Sequence, residues 1–134
     1  GDRAASRGSR SPTRFHPTRA IQVTGSAVSR GPARARSWRM RSLNAQAEVV
    51  AALLPRVRDI RRMGSAALDL AWTAAGRYDA FYERGVQVWD TAAGTLVCER
   101  AGLEVRELPA DERLAAGILV APPALADALA AVVA

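Results

Sequence analysis

This chain has no lysine, a single cysteine and a single histidine. With Cys98 alone no intrachain disulfide can form, so a reducing, cytoplasmic setting is expected. Lying in a helical stretch, that thiol reads as a small hydrophobe rather than a nucleophile. His16 stands between Phe15 and Pro17 with no acid nearby, which excludes a zinc centre or a nucleophile–His–acid triad built around it. A Walker-type phosphate loop is absent. No membrane span is expected either, because the longest apolar stretch, Leu114 to Ala134, is broken by Gly117 and Pro122-Pro123 and interrupted by Asp127. The start of the chain lacks the apolar stretch of a secretory signal, although its Arg and Ser richness with few acids overlaps with organelle transit peptides.

What is present divides in two. Residues 1–44 carry ten arginines and one acid, Asp2, for a net +9; the remainder carries nine arginines against twelve acids, net −3. The basicity therefore belongs to the first segment. Nonspecific polyanion binding is expected there, and in a nucleic-acid-binding reading Arg14-Phe15 and Arg36-Ser37-Trp38-Arg39 supply the cationic and aromatic contacts. Gly, Pro, Ser and Arg dominate this stretch and no helical or strand period is sustained, so residues 1–44 are expected to be disordered. The change of text near residue 45 is abrupt, as a frameshift or misplaced start in a GC-rich gene would leave it, and as a leader or a true basic arm would also give.

From residue 45 to 134 the pattern is that of an α/β domain. Ala47, Val50, Ala51 and Leu54 predict a helix that ends at Pro55. Val57 to Met63 reads as a strand, Gly64-Ser65 as a turn, and Ala66 to Ala75 as a helix with Leu68, Ala71, Trp72 and Ala75 on its buried face and Gly76 as its stop. A strand over Asp79 to Arg84 leads through Gly85 to a helix from Asp90 to about Ala101, on which Ala93, Leu96, Val97 and Arg100 fall near helical spacing. Trp89 is expected to pack at its entry. Strands at Val105–Leu108 and Ile118–Ala121 and a last helix opened by Pro123 follow. Strands alternating with helices imply a mostly parallel sheet with flanking helices.

Asp90 carries the most chemistry. A carboxylate in the first turn of a helix is stabilised by the helix dipole and free N–H groups, and the same place suits a metal ligand; a plain capping aspartate satisfies position alone equally well. Three stretches narrow the choice: Arg62-Met63-Gly64-Ser65-Ala66-Ala67-Leu68-Asp69-Leu70-Ala71-Trp72, Asp79-Ala80-Phe81-Tyr82-Glu83-Arg84-Gly85, and Val86-Gln87-Val88-Trp89-Asp90-Thr91-Ala92-Ala93-Gly94. Together they resemble the C-terminal half of an inositol monophosphatase, over roughly residues 46 to 133, with Trp-Asp-x-Ala-Ala-Gly as the most specific element. Ala101-Gly102-Leu103 departs from the Ala-Gly-Gly of relatives, which bears on a turn and on no chemistry.

The resemblance implies the C-terminal half of a layered α/β sandwich and a Mg²⁺-dependent phosphomonoesterase acting on inositol phosphate or a related sugar or polyol phosphate. It implies that Asp90 is a magnesium ligand, that Glu83 accepts a hydrogen bond from a substrate hydroxyl, and that Gly64, Ser65 and Ala66 form a turn against the substrate ring. A homodimer is also implied. The family's remaining ligands come from a Glu-Glu pair and an Asp-Pro-x-Asp-Gly-Thr motif, and neither occurs in these 134 residues. Magnesium requires near-octahedral oxygen ligation, which one carboxylate cannot define, so the chain alone is expected to be inactive.

Overall fold

The computed structural model describes residues 21–25 and 33–134, with the backbone alone for 22–25 and 33–41. In chain order the elements are β1 (Ile21–Gly25), α1 (Ala33–Leu53), a one-turn 3-10 helix (Leu54–Arg56), β2 (Ile60–Arg61), α2 (Ala66–Ala74), β3 (Ala80–Arg84), α3 (Val88–Arg100), β4 (Glu104–Leu108), β5 (Gly117–Ala121) and α4 (Pro123–Val133). The five strands form one sheet in the order β2-β1-β3-β5-β4.

Two elements correct the expectation of a disordered first segment. β1 lies at residues 21–25, between β2 and β3. Ile-Gln-Val-Thr alternates β-branched with polar residues, which is the ordinary strand signal. Helix α1 begins at Ala33, well before the expected Ala47. From Ala33 to Leu53 there is neither Gly nor Pro, and Ala, Arg, Met and Leu are strong helix formers whose propensity needs no apolar period. The composition change at residue 45 therefore falls inside a helix. Residues 1–20 and 26–32, with Arg14-Phe15 and His16, lie outside the described residues, and Arg36-Ser37-Trp38-Arg39 belongs to α1.

The sheet is mixed. β1 pairs parallel with β2 and β3, whereas β5 pairs antiparallel with β3 and β4. Only residues 109–116 connect β4 to β5, too few for the crossover a parallel pair needs. Asp111 shapes that connection: its Oδ1 accepts from the backbone N–H groups of Arg113 and Leu114, both at 2.6 Å. Gly117 opens β5 because a Cβ there would stand 2.2 Å from the Glu83 carbonyl oxygen.

Helices cover both faces. Val49 and Leu53 of α1 and Ala126, Leu129 and Val133 of α4 pack with Ile21, Ala80, Tyr82, Leu119 and Ala121 on one side. On the other, Leu70 of α2 and Cys98 of α3 pack with Phe81 and Val120. Helices α2 and α3 touch closely at Gly94, which lies against Leu70. Arg84, 2% exposed, ties the layers together. Its guanidinium donates to the carbonyls of Pro109 at 2.8 Å, Ala115 at 3.1 Å and Val133 at 2.7 Å, the last of these in the final turn of α4, where a cation also meets the negative end of the helix dipole.

Candidate functional site at the strand ends

Strands β1, β2 and β3 run parallel, with Ile21 opposite both Ile60 and Ala80. Their C-terminal ends therefore share one edge of the sheet, the edge where open α/β folds bind ligands. The chain leaves β2 through residues 62–65 into α2 and leaves β3 through Gly85, Val86 and Gln87 into α3. Three of the sequence's candidates come to this edge: the Gly64-Ser65-Ala66 turn at one exit, Glu83 next to the last residue of β3, and Asp90 in the first turn of α3. Two helix N-termini, with their unpaired N–H groups and positive dipole ends, open on the same side.

Gly64 holds φ +86°, a left-handed conformation suited to glycine, and among the described residues no atom beyond its chain neighbours lies within 4 Å of the place its Cβ would take. The turn is open, as close approach of a ligand to backbone requires. Ser65 caps α2, its Oγ accepting from the Leu68 N–H at 3.4 Å, and Ala66 packs partly into the core beneath. Glu83 is only 9% exposed. It is thus no strand-end surface acid, and strand alternation places it on the Phe81 side of β3, facing the α2–α3 layer.

Asp90 is exposed and is the third residue of α3 rather than its cap. The cap position is Gln87, whose carbonyl accepts from the Asp90 N–H at 3.0 Å. Among the described residues the Asp90 carboxylate has neither a hydrogen bond nor an ion pair, so it is not occupied in holding the helix together.

Other expectations change. The buried residues of α2 are Asp69, Leu70 and Thr73, not the stripe Leu68, Ala71, Trp72 and Ala75. Those of α3 are Thr91, Gly94 and Cys98, so Ala93, Leu96, Val97 and Arg100 point outward. Trp89 does not pack at the helix entry and is 75% exposed. Trp72 is half-buried, edge-on to Tyr78 at 5.8 Å with the Arg77 guanidinium over its ring. Leu103 fits its turn because Gly102 alone takes positive φ there. Sequence reasoning passed over Asp69, wholly buried on α2; its signal is that it is the sole charged residue of an otherwise uncharged helix. Arg84 was passed over as well.

A cleft of about 540 Å³ opens beside this edge, lined by Val86, Gln87, Val88 and Thr91 on one side and by the β4–β5 connection on the other. Neither Glu83 nor Asp90 lines it. Among the described residues no group of three or more His, Cys, Asp or Glu stands close enough to hold a metal ion. Asp90 can supply one oxygen ligand, but this donor set by itself does not fit magnesium. No helix among the described residues is long and apolar enough to cross a membrane.

Comparison with known proteins agrees with this fold. Residues 4–134 match the inositol monophosphatase family, a match that reaches into the Arg-rich segment. The inositol-1-monophosphatase SuhB of Mycobacterium tuberculosis is 51% identical over 96 residues, covering 70% of this chain and 33% of that protein. A shorter stretch of 59 residues is 58% identical to the Nus factor SuhB of Xylella fastidiosa. Among solved structures, Mycobacterium tuberculosis SuhB superposes with TM-score 0.63 at 43% identity, over 86% of this chain and 40% of that one. An inositol monophosphatase from Anabaena (Nostoc) sp. PCC 7120 gives 0.63 at 32% identity, over 86% and 43%. The chain spans about a third of the curated relatives it matches over most of its own length. It belongs to the inositol monophosphatase family.

Proposed function

We propose that this chain is the C-terminal part of a Mg²⁺-dependent phosphomonoesterase that hydrolyses inositol phosphate or a related sugar or polyol phosphate, and that it is inactive until the rest of the fold is supplied. The observation that carries the reading is Asp90: an exposed carboxylate without partners among the described residues, in the first turn of a helix, on the same sheet edge as the Gly64–Ala66 turn and the end of β3.

In this reading Asp90 would contribute one oxygen ligand to a magnesium site that these 134 residues do not complete, where the ion would supply Lewis-acid chemistry. Glu83, as a charged acceptor, orients a substrate hydroxyl, an interaction stronger than a neutral hydrogen bond. The open turn at Gly64 admits the substrate ring to the backbone, and the α2 N-terminus favours its negative charge. The whole enzyme is expected to form a homodimer, and the basic residues 1–44 to bind polyanions without sequence preference.

The test is a chimera that places residues 46–134 behind the N-terminal half of the Mycobacterium tuberculosis relative. Phosphate release from inositol 1-phosphate should appear with a magnesium requirement. Asp90→Asn should lower the rate by roughly a thousandfold, about 4 kcal/mol, and weaken magnesium binding in calorimetry. Glu83→Gln should change selection among polyol substrates more than it changes metal binding. A folded chimera indifferent to Asp90→Asn would reduce the residue to an ordinary helix-start aspartate.

A further inference from the structure

Between the start of α3 and the β4–β5 connection lies the cleft of about 540 Å³, a volume inside the range of small-ligand sites, roughly 300–1,000 Å³. Neither wall is loose. Arg84 pins the β4–β5 side through the carbonyls of Pro109 at 2.8 Å and Ala115 at 3.1 Å, and the Asp111 carboxylate closes the turn beyond. On the α3 side the buried Thr91 hydroxyl lies 3.3 Å from the Gln87 carbonyl and 3.4 Å from that of Val88, to which it donates. Among the described residues the lining is mostly apolar, with Val86, Val88, Pro109 and Ile118, and its one charged group is Glu107. Ile118 stands opposite both Glu83 and Glu107, so Glu107 faces the same side of the sheet as Glu83, two strands and about 10 Å away. Glu107 is exposed, and among the described residues its carboxylate holds neither a hydrogen bond nor an ion pair. The neighbouring cations are engaged elsewhere: Arg106 with Glu104 and Asp127, Arg113 with Glu48, and Arg84 with backbone carbonyls. A phosphate ester would meet an uncompensated negative charge here, so the cleft selects against the kind of ligand that the Asp90 edge suits.

We propose that this cleft is a second binding site, for a small organic cation: an apolar body seated between Val88 and Ile118, with a primary ammonium on the Glu107 carboxylate and the Gln87 amide as a further polar contact. A charge-assisted hydrogen bond is stronger than a neutral one, and apolar walls on either side strengthen it over the same pair on an open surface. Neither Glu83 nor Asp90 lines the cleft, so binding there does not depend on the reading of Asp90 as a metal ligand. One wall, Val86-Gln87-Val88, is nevertheless the link that carries the chain from the end of β3 to Asp90. An occupant braces that link, which makes an amine effector the ligand class to which the site points.

Phenethylamine, with hydrocinnamate as an anionic counterpart of similar shape, is titrated into the isotope-labelled full chain and followed by amide NMR. The amine should give saturable shifts centred on residues 86–91 and 107–118, and hydrocinnamate should give none. Glu107→Gln, at an exposed position without partners among the described residues, should weaken amine binding at least fivefold. Ala116→Trp, which fills the cleft from an exposed position, should abolish it. Glu112→Gln and Asp90→Asn remove carboxylates that do not line the cleft and should leave the affinity unchanged. With the amine bound, hydrogen exchange at residues 86–90 should slow, and exchange unaltered there would refute the link to Asp90. Equal binding of the two probes, binding indifferent to Glu107→Gln, or binding lost with Asp90→Asn would each overturn the site, as would a folded chain that shows no saturable shift with millimolar amine.

Discussion

Gly94→Ala tests the close approach of α2 and α3. A Cβ built on Gly94 would stand 2.7 Å from Leu70 Cβ, 2.7 Å from its Cδ1 and 3.2 Å from its Cγ. Carbon atoms pack best at about 3.5–4.0 Å, so two of these distances are short by most of an ångström. Leu70 is fully buried and cannot swing away, and its Cβ moves only with the α2 backbone. Two effects oppose. Alanine gains about 1 kcal/mol over glycine inside a helix, and overpacking a filled core costs about 1–3 kcal/mol. With a rigid Cβ among the clashing atoms the upper part of that range applies, leaving a net loss of about 1–2 kcal/mol. Urea unfolding of the full chain, read as a lower midpoint at unchanged slope, measures it. Leu70→Ala alone leaves a cavity worth about 2–5 kcal/mol, but it also removes Cγ and Cδ1 from the clash, so the double variant should lose at least ~1 kcal/mol less than the two single losses combined. If Gly94→Ala instead stabilises the chain by the helix-propensity gain, or if the two changes add, the helices do not approach as closely as described.

Arg84→Met should cost about 3 kcal/mol, because it leaves three backbone carbonyls, of Pro109, Ala115 and Val133, without their charged donor; hydrogen exchange should quicken at the end of α4, and unchanged exchange there would show that the guanidinium ties nothing down. Burial pushes the Cys98 thiol up to about 11 from an ordinary 9.0. Its neutral form is favoured in the fold, so the associated stability is fully present below pH 9 and is lost as pH rises from 9 to 11, an amount of about 2–3 kcal/mol. Cys98→Ala should therefore flatten the alkaline limb of the stability profile, and parallel profiles for the two proteins would refute the assignment. Below pH 9 that thiol should also resist alkylation as long as the chain is folded, since the thiolate is the reactive form. The chain by itself should release no phosphate from inositol 1-phosphate with magnesium above background; release that Asp90→Asn abolishes would mean that its own residues complete a site.

How much of this was legible in the sequence depended on whether a residue's neighbours in the chain are also its neighbours in space. The turns were legible, because Gly64, Gly76, Gly85 and Gly102 all take positive φ and the need for glycine there is local. The order of elements after residue 57 was legible for the same reason, and so was the gathering of Gly64–Ala66, Glu83 and Asp90, since parallel strands put successive strand exits on one edge. The facing of α2 and α3 was not. Leu68 and Trp72 on α2 were read as its buried face, whereas Asp69, Leu70 and Thr73 hold the inner side there, as Thr91, Gly94 and Cys98 do on α3.

The misread phase is itself physically informative. Close helix–helix and helix–sheet approach selects small residues, so the bulky apolar residues of α2 and α3 are left for the other side, and that side is where Trp89 stands beside Asp90.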